Sequence, residues 1–174
     1  LTLLAAYNRA ANAEMDGLVR SLNDDEWNRE LGGYFGSIRS LCSHLYICDL
    51  LWMRRFFDPG SGLDLSPELA RQWEEPLKEK YSLKDTIFAS KDEYLAKRPD
   101  TDGRLAAFVE ALDERILGRT LSYTNSSGTA LKKNFGAALV HLFLHHTHHR
   151  GMISVYLEIM GKENDFNMLL PLVD

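Results

Sequence analysis

Apolar side chains recur along the chain in steps of three and four. Over residues 2–22 they fall at Leu4, Tyr7, Ala11, Met15, Leu18 and Leu22, the period of an amphipathic helix with one buried face. The run "NDDEWNRELGGYFGS" breaks that pattern. Ser37 then has the chemistry of an N-cap, and a second helix is predicted behind it. Its stripe is Ile38, Leu41, Leu45, Cys48, Trp52 and Phe56, and "DPGSG" at 58–62 ends it. The middle section is less periodic. Ser66 followed by Pro67 reads as a cap with proline at the first helical position, so a short helix is expected there. "SKDE" at 90–93 has the Ser-x-x-Glu form of a capping box. It starts a third long helix, to about Leu112, which Pro99 and Gly103 are expected to kink or split. "LGRTLSYTNSSGTAL" alternates and carries turn residues, as a loop or short hairpin does. A fourth long helix follows from about Asn134 to Met160, with Gly161 at its C-terminal cap.

Four long helical segments and almost no strand predict an all-α fold. The expectation is a four-helix bundle with a long middle connection and a short extra helix or hairpin. A length of 174 residues fits one domain, 1–174. Apolar residues make up 45% and charged residues 26%, enough for a real core. No apolar run reaches the roughly 18–20 residues that span a membrane. The first residues read as a helix and not as a signal peptide. The formal net charge of −5 argues against nucleic-acid binding, since such proteins present basic patches. Cys42 and Cys48 lie six apart on one predicted helix and point to different faces, so no disulfide joins them. Two thiols suit a reducing cytoplasm.

Composition leaves function open, and the histidines narrow it. Five of six fall in "HLFLHHTHHRG" at 141–151, on the fourth long helix. At about 100° per residue, with His145 at zero, His149 falls near about +40°, His141 near about −40° and His148 near about −60°. His146, near about +100°, turns away. Four imidazoles on one face repel when charged and cost desolvation energy when buried unpaired, and a metal ion relieves both problems by binding the neutral form. Spacing leaves three pairs open: His141/His145, His145/His149 and His145/His148. One helix does not easily supply three ligands at good angles, and the remaining histidine is His44, bordering the stripe of the second helix. No His-Glu-x-x-His, Glu-x-x-His or Cys-x-x-Cys occurs, which disfavours a metalloprotease, a carboxylate-rich di-iron bundle and a zinc ribbon. A mononuclear three-histidine site remains, with open positions of the catalytic kind.

"HLFLHHTHHRGM" and "FGSIRSLCSHLYICDLLW" resemble the DinB family of metal-binding helical bundles, often grouped with YfiT-like proteins. "TDGRLAAFVEAL" and "LSYTNSSG" are weaker matches. The resemblance implies metal ligands at His44, His145 and His149. Two positions depart from the family pattern: Leu144 stands where asparagine is usual, and Met152 where glutamine is usual. Met152 falls near about −20° on the wheel, toward the site. The family also implies chemistry of a broad kind. Some relatives look like thiol-dependent transferases or isomerases using low-molecular-weight thiols, and homodimers are common among them. The expectation is therefore a Zn²⁺ or Ni²⁺ site that favours a small thiol as thiolate for attack on an electrophile, in a cytoplasmic homodimer. A metal-dependent hydrolase and a non-catalytic metal-binding stress protein are the alternatives.

Other side chains are weighed against plainer roles. Cys48 reads as a buried helix residue before it reads as a fourth ligand. His141 and His148 divide between supporting the site and ordinary packing. Arg150 is expected to pair with a carboxylate such as Asp49 rather than with substrate. Tyr34 reads as a loop tyrosine near the cleft, and Trp52 as core.

Overall fold

The computed structural model describes residues 1–173. The chain is mostly helical, with one small antiparallel sheet. Four long helices carry it: α1 (Thr2–Ser21), α3 (Ile38–Phe56), α5 (Lys91–Glu110) and α6 (Phe135–Ile159). Two short ones, α2 (Asp24–Asn28) and α4 (Pro67–Trp73), lie in the connections. Helix α1 packs on α5 and α6, and α3 packs on α5 and α6 as well. None of the described helices is long and apolar enough to cross a membrane.

The caps predicted at Ser37 and Ser66 form, and Asn134 caps α6 as well. The side chains of Ser37, Ser66 and Asn134 each accept from a backbone N–H in the first turn of α3, α4 and α6. Ser90 does the same for α5, accepting from Glu93 N. Its capping box is incomplete, because the Glu93 carboxylate turns to the N–H of Ala89 instead of Ser90. A complete box forms in the segment that interrupts the apolar period: Asn23 and Glu26 cap α2 reciprocally. Helix α5 runs unbroken through Pro99 and Gly103. Leu95, Arg98, Thr101, Asp102 and Leu105 are all buried across that stretch, so packing holds the helix where local propensity would release it.

The predicted stripe of α3 is buried at every position, and the ten residues 41–50 have no exposed side at all. Helix α3 is therefore the central element. Helix α1 departs from the expectation. Its fully buried face is Ala5, Asn8, Ala11, Asn12, Met15, Asp16 and Val19, whereas Leu4, Tyr7 and Leu18 are only half-buried. The helix turns a polar row inward because partners await it there.

The alternating segment before α6 is a hairpin, β1 (Thr120–Thr124) with β2 (Ala130–Asn134), in register Thr120↔Asn134. Leu121 drops into the core, and Ser122 N donates to Ser61 O at 2.7 Å, which ties the hairpin to the chain leaving α3. The long connection between α4 and α5 is tied to α3 in the same way. Ile87 N donates to Ser43 Oγ at 3.1 Å, and Arg39 Nε donates to Phe88 O at 2.6 Å.

Candidate metal centre

The α3–α6 contact brings three imidazoles together. His44 comes from the first half of α3, and His145 and His149 stand four apart on α6. Their ring centroids lie 5.2, 4.6 and 4.3 Å apart for the pairs His44–His145, His44–His149 and His145–His149. One ligand nitrogen from each falls within 4.8 Å of the others. Nε2 of His145 and Nε2 of His149 are 3.1 Å apart. Two nitrogens on one tetrahedral zinc, at Zn–N of about 2.0–2.1 Å, would stand about 3.3 Å apart. The His145–His149 pair matches that spacing, and the three-histidine cluster is compatible with one divalent ion.

His44 is oriented for that role. Its Nδ1 lies 3.2 Å from the carbonyl oxygen of Leu83, which can only accept, so Nδ1 carries the proton and Nε2 keeps its lone pair. Burial pushes all three imidazoles down from their ordinary value. For His145, burial and the neighbouring His44 bring it to about 4. For His149, burial and His145 bring it to about 3. At neutral pH these rings are uncharged, the form that binds a metal. Nδ1 of His145 and of His149 are buried without a protein partner.

A loop covers the cluster. Phe35 lies 4.5 Å from His44 and meets His149 edge-on at 5.2 Å. Gly36, at φ 74°, makes the turn that delivers Phe35 and begins α3, a backbone state that other residues adopt at a cost. The Tyr156 hydroxyl donates to the carbonyl of Gly32 and anchors the loop from α6. A cavity of about 260 Å³ opens beside the cluster, lined by Tyr34, Phe35, Ser40, Leu83 and Lys84 among others.

Behind the cluster runs a buried polar network that draws on all four long helices. Nε2 of His146 stands 2.6 Å from Oδ1 of Asp49. Arg98 Nη1 is 2.7 Å from Asp49 Oδ2, close as an ion pair although not aligned as a hydrogen bond. Arg98 also grips Asp102 through Nε at 3.1 Å and Nη2 at 2.8 Å. Asp102 accepts from Asn8 and Asn12, whose carbonyl oxygens in turn accept from Arg150 Nη1 at 2.6 and 2.9 Å. Burial drives the Asp49 carboxyl up, but His146 and Arg98 outweigh it and hold it low. Asp102 ends above its ordinary value, because there burial outweighs Arg98. Asp49 follows Cys48 on α3, and His146 follows His145 on α6. The network therefore fixes the rotation of both helices that carry the cluster.

Over residues 1–167 the chain matches the model of the DinB family. The chain belongs to the DinB family. It is 30% identical over 158 residues to the protein named Protein DinB from Bacillus subtilis (strain 168), covering 91% of this chain and 84% of that protein. No solved structure matches it. A three-histidine cluster in a DinB-family chain fits a metal-binding protein.

The remaining candidates fall in different places. Cys48 is buried, as its stripe position implied, and its Sγ also sits 3.4 Å from Nε2 of His44. Burial pushes that thiol up to about 12. Arg150 is structural as expected, but its partners are Asn8, Asn12 and Thr147 rather than Asp49, which Arg98 and His146 already occupy. Tyr34 is 73% exposed, lines the cavity beside the cluster, and rests its ring edge-on against Phe35 at 4.9 Å. The neighbouring Phe35 is the residue of that loop that meets the His44 and His149 rings. His141 and His148 are both exposed, 6.0 Å from His145 and 4.8 Å from His149 by ring centroid. Met152 is half-buried and packs against the core, while Leu144 is exposed. Trp52 is buried in the stripe. His146, which the helical wheel turns away from the other four, turns into the core. Its angle of about +100° on a helix with an apolar opposite face carries that signal. Asn8, Asn12, Leu83 and Phe35 left no such trace.

Proposed function

We propose that this chain is a metal-dependent enzyme whose ion is held by His44, His145 and His149. The reading includes one domain over 1–174, built as a four-helix bundle around that ion. The observation that carries it is the pairing of two features. Three neutral imidazoles from two helices bring one ligand nitrogen each within 4.8 Å of one another, and the Leu83 carbonyl engages Nδ1 of His44, leaving Nε2 as its candidate donor. A bound Zn²⁺ or Ni²⁺ supplies Lewis acidity, which favours the thiolate of a small thiol at neutral pH. Three protein ligands leave room for such a guest. Phe35 excludes water from one side of the cluster, and the Asp49–His146 contact keeps α3 and α6 in register under it. The chemistry that suits this arrangement is transfer of the thiol sulfur to a small electrophile: a carbon–sulfur bond forms and the leaving group departs with its electron pair.

The test is metal content per chain by elemental analysis, after purification without a nickel column. Wild type is compared with His44→Ala and His149→Ala. About one ion in wild type and far less in both variants is expected. Thiol-dependent loss of an electrophile, abolished by a chelator and restored by the ion, would then assign the reaction. No ion after reconstitution with either metal would end the reading.

A further inference from the structure

The α3–α6 seam does not stop at the histidines. Along α3, His44, Cys48, Trp52 and Arg55 follow one another at steps of four, four and three, so they share one face. Along α6, His149, His145 and His141 do the same. The contacts are continuous: His145 to His141 at 6.0 Å, His141 to Trp52 at 5.5 Å, and the Arg55 guanidinium 4.7 Å above the Trp52 ring. Tyr123 of the hairpin stands 5.5 Å from Trp52 and 5.0 Å from that guanidinium. A cavity of about 260 Å³ lies between His141, Trp52, Tyr123 and Lys133. A larger cavity, about 680 Å³, adjoins it and is lined by Arg55, Tyr123 and Lys132 among others.

Arg55 is the unusual member. It is half-buried against the rings of both Trp52 and Tyr123, and no carboxylate among the described residues pairs with it. Its neighbour Arg54 is engaged, donating to the carbonyls of Leu77 and Glu79 at 3.1 and 2.6 Å. Asp58, on the same rim, accepts with one oxygen from the N–H of Gly60 at 2.7 Å. Burial pulls the Arg55 guanidinium below its ordinary value, with no carboxylate to offset it. Contact with both rings holds the guanidinium in place, and no hydrogen-bond acceptor among the described residues takes its donors, an arrangement that suits capture of a carboxylate.

We infer that Arg55 forms an anion subsite that holds a carboxylate on the far end of the ligand whose reacting end meets the three histidines. From His44 to Arg55 the helix rises about 16 Å, but the Arg55 guanidinium lies back over Trp52, about 12 Å along the axis from His44, so the ligand is an elongated acid with its reactive group about 12 Å from its carboxylate. Trp52, Tyr123 and His141 line the stretch between, which selects an apolar or aromatic middle. The inference rests on the metal reading above for the identity of the reacting end, and on Arg55 alone for the acid.

Two experiments separate those parts. In the metal-free protein, the side-chain Nε resonance of Arg55, assigned by its loss in Arg55→Lys, is followed by ¹⁵N NMR during titration with hexanoate and with hexanol. A saturable shift with hexanoate and none with hexanol is expected. No shift, or an equal shift with both, overturns the subsite and leaves Arg55 as a stacked cation at the end of α3. In the cobalt-loaded protein, a straight-chain ω-mercaptocarboxylate spanning about 12 Å is compared with the matched ω-mercaptoalcohol by the sulfur-to-cobalt absorption band. The acid should bind about tenfold tighter, a charge-assisted hydrogen bond's worth. Arg55→Met should erase that preference while leaving cobalt content and alcohol binding unchanged. Equal binding of acid and alcohol in wild type overturns the link between subsite and histidines. Failure to take up cobalt would instead strike the metal reading, and the hexanoate result would still decide Arg55.

Discussion

Arg98→Met tests whether the buried network holds the helices that carry the histidines. Arg98 is fully buried, sits 2.7 Å from Asp49, and grips Asp102 at 3.1 and 2.8 Å. Methionine keeps much of the apolar stem, so lost packing accounts for less than about 1.5 kcal/mol. Electrostatics dominate the loss. Two carboxylates stay buried with their bridging cation gone, and breaking a buried pair from one side costs about 3–5 kcal/mol. Against a typical stability of about 5–15 kcal/mol, that is a large share. The loss should also depend on pH. Without Arg98, Asp102, already above its ordinary value, rises further, and Asp49 loses one of the two groups that hold it low. The native state then binds more protons than the unfolded state, and the variant loses stability as pH rises above about 4. Urea unfolding followed by circular dichroism at pH 5 and pH 8, for wild type and variant, reads both effects. Adding Asp49→Asn and Asp102→Asn to Arg98→Met should recover part of the loss, because each removes a stranded charge. A defect under about 1 kcal/mol, or one of equal size at both pH values, would refute the reasoning.

Other outcomes follow from single contacts. Burial raises Asp16 to about 7 despite a hydrogen bond from Tyr94 at 2.8 Å. Because its folded value lies above its unfolded one, Asp16 costs stability progressively as pH rises from about 4 to about 7, by at most about 4 kcal/mol. Asp16→Asn should therefore gain stability over wild type between pH 5 and pH 8, as read by denaturant midpoints. Gly36→Ala should cost about 1–2 kcal/mol for the left-handed backbone, and should displace Phe35, seen as a changed His44 or His149 ring shift by NMR. On α6, Val140, Leu144, Val155 and Ile159 are exposed along one stripe, and the expected homodimer would bury them. Leu144→Glu should then shift the sedimentation coefficient toward that of a monomer, while an unchanged coefficient would remove this stripe from the interface.

The local grammar of the chain was legible without its structure. Apolar periodicity located α1 and α3, and Ser37, Ser66 and Ser90 marked helix starts, because periodicity and capping depend on residues within one turn of each other. The histidine block announced shared imidazole chemistry through spacing alone, and the family resemblance carried His44 to it. Tertiary structure decided what those helices face. Nothing local distinguishes Asn8 from a solvated asparagine until Arg150, 142 positions later, arrives against it. His146 and Asp49, 97 positions apart, each needed the other to offset the cost of burial. Leu83 contributes a carbonyl, which every residue has, and only the docking of its loop on α3 gives that oxygen to His44. Polar groups enter a core when partners from distant parts of the chain satisfy them, and that condition belongs to the packed molecule.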